Sequence, residues 1–254
     1  MQQGTRVHPE SLCFTCVMPI SENIARIQEQ IVAAAKCGGR SETDVSLMAV
    51  SKTFPTSSIK EAYKAGIRLF GENKVQEFGL KAPDLSDLGD ARCHMIGHLQ
   101  TNKAAKAAEI FTAIDSVDSL KLAERLDATA RQLKKKLPIL IEINVGGETA
   151  KSGVAPDSPE LEQILQAGTR LEHLEIRGLM TVPPYAENPE DIRQYFRQLR
   201  ELRDRIATRH IPAVNIDTLS MGMSHDFGVA IEEGSTCVRI GTAIFGERNY
   251  TPPS

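Results

Sequence analysis

The chain has 254 residues, 30 of them basic and 33 acidic, for a formal net charge of −3. That length suits one large α/β domain with a full-sized core, and the near balance of charge leaves no basic excess to draw nucleic acid or an anionic membrane. No apolar run approaches the roughly 20 residues of a membrane span, and the N-terminus has no charged flank leading into an apolar core, so no signal peptide is expected.

Met1 to Pro19 carries no periodic pattern and reads as a poorly ordered extension ahead of a single domain over residues 20–254. It holds Cys13 and Cys16, a Cys-x-x-Cys with no second pair or His cluster near it, which is weak support for a metal or redox site. The five cysteines are odd in number and scattered, as reduced thiols of a cytoplasmic protein are. Ile20, Ile24, Ile27 and Ile31 then recur at helical spacing and Gly38-Gly39 stops the run. This extra N-terminal helix is placed to cap the bottom of the domain, so a monomer or weak dimer is expected.

From there the pattern turns regular. Strands are predicted at Ser46–Lys52, Ile67–Gly71, Arg92–Ile96, Phe111–Ile114, Ile139–Val145, Leu174–Met180, Ile216–Ser220 and Val238–Ala243, eight in all. Helical segments lie between them: Ser58-Ile-Lys-Glu61 reads as a capping box, Leu122, Leu126, Ala130 and Leu133 form a stripe, and Ser158-Pro159 and Asn188-Pro189 look like helix starts. The segments after the second and third strands are weaker. Eight strands alternating with helices imply a parallel sheet, and eight is the number that closes a (β/α)8 barrel, with an open doubly wound sheet as the alternative.

The candidate chemistry sits where strands end. Lys52 follows the apolar run Leu47–Val50, and Pro55 closes the strand. Partial desolvation there would lower the amine's pKa and free it as a nucleophile; a rim lysine whose head reaches water is the alternative. Polar loops follow the other strands at the same end: Gly71-Glu-Asn-Lys74, Gly97-His-Leu-Gln-Thr-Asn-Lys103, Gly146 to Gly153, and Thr181 to Tyr185. Strand seven runs into Ser220-Met-Gly-Met-Ser-His-Asp226, where Ser224 is a plausible N-cap and Gly222 lets backbone amides approach an anion. Strand eight continues into Gly241 and Thr242, which offer two amides and a hydroxyl. Barrels build phosphate sites between the loops after strands seven and eight. Strands one and eight are neighbours in a closed barrel, so Lys52 would share a cavity with that corner. A reactive amine beside a phosphate cradle suits a phosphorylated aldehyde. Pyridoxal 5'-phosphate is the obvious candidate, and a Schiff-base sugar-phosphate aldolase uses the same two parts.

Six motifs in order carry a family resemblance: Ser51-Lys52-Thr53, Phe70-Gly-Glu-Asn73, Ile96 to Lys103, Gly178-Leu-Met-Thr181, Leu219 to Asp226, and Gly234 to Gly246. Over about residues 20–247 the chain resembles the pyridoxal phosphate homeostasis proteins (the YggS/PROSC-like family). The resemblance implies an alanine-racemase-like barrel without the racemases' second domain. It implies pyridoxal 5'-phosphate as an internal aldimine on Lys52, with Ser224, Gly241 and Thr242 on the phosphate, Arg239 facing the pyridine nitrogen and Asn73 near the ring. It departs from the family at Lys74, where an aromatic residue is common, and in the extension before Pro19.

An arginine is a permanent donor and never an acceptor. A ring nitrogen facing Arg239 therefore stays unprotonated, which weakens the ring as an electron sink. Racemases tolerate such an arginine but draw a second base from their extra domain, and here eight residues follow Gly246. Tyr185 and His98 are the rim candidates for a base, and no pattern in the sequence positions either. Two readings stay open: a non-catalytic binder that serves the supply of the cofactor, with apo pyridoxal phosphate enzymes as partners, and a racemase or Schiff-base aldolase.

Overall fold

The structure, a computed structural model, describes residues 18–148 and 151–247. The predicted extension up to residue 17, with Cys13 and Cys16, lies outside the described residues.

Eight parallel strands close into a barrel in chain order: β1 Ser46–Val50, β2 Leu69–Glu72, β3 Arg92–Met95, β4 Ala113–Val117, β5 Leu137–Glu142, β6 Leu174–Met180, β7 Val214–Met223 and β8 Cys237–Ile240. The seam closes where β8 pairs with β1, in register from Ser46 with Cys237 to Ala49 with Ile240. The open-sheet alternative is thereby set aside. Alternation of side chains explains how these strands serve two surfaces. On β5, Leu137, Ile139 and Ile141 join the main core under the helices, while Leu140 and Glu142 fall on the other face, toward the lumen. Met48 and Leu69, with Cys237 and Ile96, form a small separate apolar cluster inside the ring. Gly71 makes room for it: a Cβ there would stand 2.8 Å from the Met48 sulfur and 2.9 Å from Ile96.

The outer layer is α2 Thr56–Lys64, α3 Val75–Lys81, α4 Ala104–Ile110, α5 Leu120–Gln132, α6 Pro159–Gln166, α7 Arg193–Ala207, α8 Phe227–Glu232 and α9 Thr242–Phe245, preceded by α1 Ile20–Cys37. The segments that read weakly after strands two and three are short helices, α3 burying Val75 and Phe78 and α4 burying Ala104, Ala107 and Ala108. The Ser158 hydroxyl accepts from the Leu161 amide, as its cap role requires. Among the described residues no helix is long and apolar enough to cross a membrane.

Four local expectations are corrected. The α1 helix does not cap the bottom of the barrel; it packs against α8, α9 and α2 on the flank that covers the seam, and Asn23 donates to the Ile244 carbonyl at 3.0 Å. The last strand stops at Ile240, because Gly241 turns (φ −112°, ψ −81°) and its carbonyl accepts from the Ile244 and Phe245 amides, starting α9. The α2 helix starts at Thr56 behind Pro55, whose carbonyl takes the Ser58 and Ile59 amides, so Ser58 lies inside the helix and caps nothing. Asp226, and not Ser224, stands at the cap position of α8.

Candidate functional site

Every candidate residue lies at the C-terminal end of a strand. Lys52 is half-buried in the turn after β1, and the ladder reaches one residue beyond that strand, the Ser51 amide donating to the Gly71 carbonyl at 3.0 Å. Gly241 ends β8 directly beside it: a Cβ on Gly241 would come 3.3 Å from the Val50 carbonyl oxygen. The loops beyond pack on each other as well, the Phe54 and Phe245 rings lying 4.9 Å apart. The seam thus sets the Lys52 turn against the Gly241–Thr242 turn.

Ser224 is half-buried in the turn after β7. The turn is braced by Asp226, which accepts from the Met223 amide at 2.6 Å. Burial pushes the Asp226 carboxyl up from its ordinary range, against that hydrogen bond and the Arg239 charge. Gly222 sits at φ +95°, and a Cβ on it would be 2.6 Å from the Ala230 methyl, so the close seat of α8 on β7 requires glycine. The α8 helix has six residues and α9 four. An anion here would be held by individual amides and hydroxyls rather than by a long helix dipole.

Arg239 is buried in the lumen with 4% of its surface exposed. Its Nη1 donates to the Ser220 carbonyl (2.6 Å) and hydroxyl (2.8 Å), and its Nη2 donates to the Thr181 carbonyl (2.7 Å). A guanidinium has five N–H groups, so the Nε–H and one Nη2–H lie outside these three bonds. Burial lowers its pKa, while Cys237, Asp115, Asp226 and Glu142 pull the other way; the group stays charged. Among the described residues three buried side-chain oxygens have no hydrogen-bond partner: Asn73 Oδ1, just past β2, Glu142 Oε2, on the last residue of β5, and Glu72 Oε2, on the last residue of β2. Gly97 fixes the Asn73 backbone, since a Cβ on it would fall 2.5 Å from the Asn73 carbonyl oxygen. Glu142 is pushed up to about 7, by burial first and by the Asp118 charge second, with Arg239 opposing.

Around Lys52 lies a network that the sequence reading did not assign. Lys81 of α3 donates to Glu72 (2.9 Å), Glu77 (2.7 Å) and the Ser51 carbonyl (3.1 Å). The Ser51 hydroxyl donates to Glu72 at 2.8 Å, and the Thr53 amide to Glu77 at 2.5 Å. Burial raises the Glu72 pKa, with Lys81 and Ser51 opposing. The Glu77 to Lys81 spacing of i,i+4 on a helix was the available signal.

The rim bases are differently placed. His98 is exposed and pairs through Nδ1 with Asp118 at 3.1 Å. Tyr185 is 80% exposed, its ring 5.8 Å from that of His225. Lys74 is exposed at the start of α3. A cavity of about 700 Å³ opens at the opposite, N-terminal end of the strands, among Ser46, Arg92, His94, Pro138 and Cys237. That end of a barrel serves stability in the usual division of labour, and none of the candidate residues lines it. Burial pushes the Cys237 thiol up to about 12 and Cys93 well above its ordinary value, so both are inert packing residues.

The profile of the family described as alanine racemase, N-terminal domain, matches residues 21–249. The chain is 46% identical over 233 residues to a pyridoxal phosphate homeostasis protein of Aquifex aeolicus, covering 92% of this chain and 100% of that one. It is 43% identical over 234 residues to the protein of that name from Escherichia coli K12, covering 91% and 98%. Among solved structures, PipY of Synechococcus elongatus with PLP bound is similar with a TM-score of 0.77 at 37% identity, over 89% of this chain and 100% of PipY.

Proposed function

This chain belongs to the pyridoxal phosphate homeostasis proteins, built on the alanine racemase N-terminal domain, and from that membership we propose that it binds pyridoxal 5'-phosphate and serves its intracellular supply, running no reaction of its own. The observation that carries the reading is the seam: an amine-bearing turn and a turn rich in amides and hydroxyls stand side by side because β8 pairs with β1.

The residues present fit that group. The cofactor supplies an aldehyde open to a lysine amine and an aromatic ring nitrogen that takes up electron density. Lys52 would hold the aldehyde. Ser224, Gly241 and Thr242 would hold the phosphate. Arg239, with N–H groups beyond those given to Ser220 and Thr181, would donate to the ring nitrogen and keep it an acceptor. Asn73 Oδ1, an unpartnered acceptor at the same mouth, would stand by the ring. A racemase or aldolase needs a proton-transfer group over the captured carbon. The exposure of Tyr185 and of His98 argues against either in that role. Apo pyridoxal phosphate enzymes of the cytoplasm are the natural recipients, and a single copy closes its own barrel, with α1 over the seam, so we read it as a monomer in one domain from residue 20 onward.

Borohydride treatment of the loaded protein, followed by peptide mass analysis, tests the reading. The cofactor mass is expected on Lys52, and Lys52→Ala is expected to lose it while retaining reversible binding through the phosphate. Mass fixed on another lysine would overturn the assignment.

A further inference from the structure

We propose that Lys81 is a positioning residue for Lys52, acting through Glu72 and Glu77 to fix the direction in which the Lys52 side chain leaves β1. The inference rests on the reading that Lys52 holds the aldehyde.

The two residues that flank Lys52 are both tied to the same ammonium. Ser51 gives its carbonyl to Lys81 (3.1 Å) and its hydroxyl to Glu72 (2.8 Å), and Lys81 pairs with that Glu72 oxygen at 2.9 Å. Thr53 gives its amide to Glu77 (2.5 Å), and Lys81 pairs with that Glu77 oxygen at 2.7 Å. Lys81 has three N–H donors, and all three are committed to this clamp. Its side chain is 12% exposed and that of Glu72 0%, so water and salt screen the pairs weakly.

Thr53 supplies the second observation. Its φ is +68°, a left-handed conformation that a β-branched residue rarely adopts. Backbone strain of this kind persists only where the surroundings over-determine it, and it clusters at functional sites. Here the surroundings are the hydrogen bond that the Thr53 amide donates to Glu77 on one side and the Ser51 anchor on the other. A lysine has four rotatable bonds and a large entropy to lose on capturing a partner. Fixing the backbone on both sides of it removes the backbone share of the ordering cost in advance and sets the direction from which the side chain starts. Without Lys81, Thr53 is free to relax to negative φ, which swings the Lys52 stem away from the seam.

The experiment uses the full chain, Lys81→Met, Glu77→Ala, and Lys81→Met combined with Thr53→Asn, since asparagine tolerates the left-handed region. Pyridoxal 5'-phosphate is titrated by equilibrium dialysis, the fraction fixed on Lys52 by borohydride is measured at matched occupancy, and melting temperature reports folding. Both single variants are expected to lower the fixed fraction roughly tenfold or more, and Thr53→Asn is expected to recover part of it in the Lys81→Met background. A lower melting temperature with an unchanged fixed fraction would mean that Lys81 only ties α3 to the barrel, and the proposal fails. If Lys81→Met does not fold, Glu77→Ala decides alone, because its carboxylate is a quarter exposed on a short outer helix. A wild-type chain with no mass on Lys52 sinks the site reading and this proposal with it; a wild-type chain fixed at Lys52 with equal variants sinks this proposal alone.

Discussion

Glu142 offers the sharpest test of the lumen electrostatics. The residue is 8% exposed, its Oε2 has no partner, and its pKa is pushed from 4.5 to about 7, mainly by burial. A carboxyl raised in the folded state holds a proton that the unfolded chain gives up. Its contribution to stability is therefore fully present below pH 4.5 and is lost as pH rises through 7. At 1.36 kcal/mol per pH unit the penalty reaches about 3 kcal/mol above pH 8, and about 2.5 kcal/mol of it develops between pH 5 and pH 8. Glu142→Gln keeps the shape and removes the proton. Urea unfolding of the cofactor-free protein and the variant, at steps from pH 5 to pH 8, is expected to show the variant gaining about 2–3 kcal/mol on the wild type, with half the change reached by about pH 6 and a plateau above pH 7. In melting temperature that is roughly 5–10 °C for a chain of this size. Glu72 and Asp226, which burial also raises, titrate alike in both proteins and cancel in the difference. Parallel stability curves would refute the claim that Glu142 is a neutral acid inside the barrel.

Two further outcomes follow from the same geometry. Arg239→Gln removes the three guanidinium hydrogen bonds and takes the Arg239 donor from the Thr181 carbonyl, while the Ser220 carbonyl keeps the Thr181 amide; a loss of about 2–4 kcal/mol in urea unfolding is expected, with pyridoxal 5'-phosphate dissociating roughly tenfold faster or more, and unchanged dissociation would mean that Arg239 does not touch the ring. Gly222→Ala combines a left-handed φ of +95° with a 2.6 Å approach to the Ala230 methyl and is expected to cost about 2 kcal/mol, read as a lower urea midpoint.

Periodicity carried the architecture, because alternation of buried strands with amphipathic helices is a local signal repeated along the chain. Every predicted strand overlaps an observed one, while the ends differ, as at β4, which runs Ala113–Val117 where the sequence predicts Phe111–Ile114. Val238 to Ala243 reads as one strand, yet Gly241 breaks it, since its carbonyl accepts two amides of the next turn. Arg239 was visible as a guanidinium in an apolar strand, but its partners Ser220 and Thr181 come from the pairing of β6, β7 and β8. Glu77 and Lys81 were visible as a helical pair. What they hold, the flanks of Lys52, depends on Lys81 reaching the Ser51 carbonyl and Glu72 at the ends of two neighbouring strands, which no local pattern encodes. Glu142 read as one more residue of strand five; only closure of the ring turns its side chain into the lumen.

Closure also bears on whether the chain carries or catalyses. In a ring of eight strands in chain order, β5 stands opposite β1. Glu142, the lumen acid pushed to about 7, thus stands across the lumen from the seam where Lys52 sits. Arg239 does not give up a proton, and Cys237, pushed up to about 12, keeps its own. Amine capture needs the seam alone, whereas moving a proton at the captured carbon needs a base above the same turn; Glu142, the carboxyl pushed to about 7, stands across the lumen from that turn. The loaded protein incubated with L-alanine in deuterated buffer is accordingly expected to leave the Cα proton unexchanged beyond trace, as followed by proton NMR. Exchange that proceeds with turnover and disappears in Lys52→Ala would show a base within reach of the seam and overturn the carrier reading.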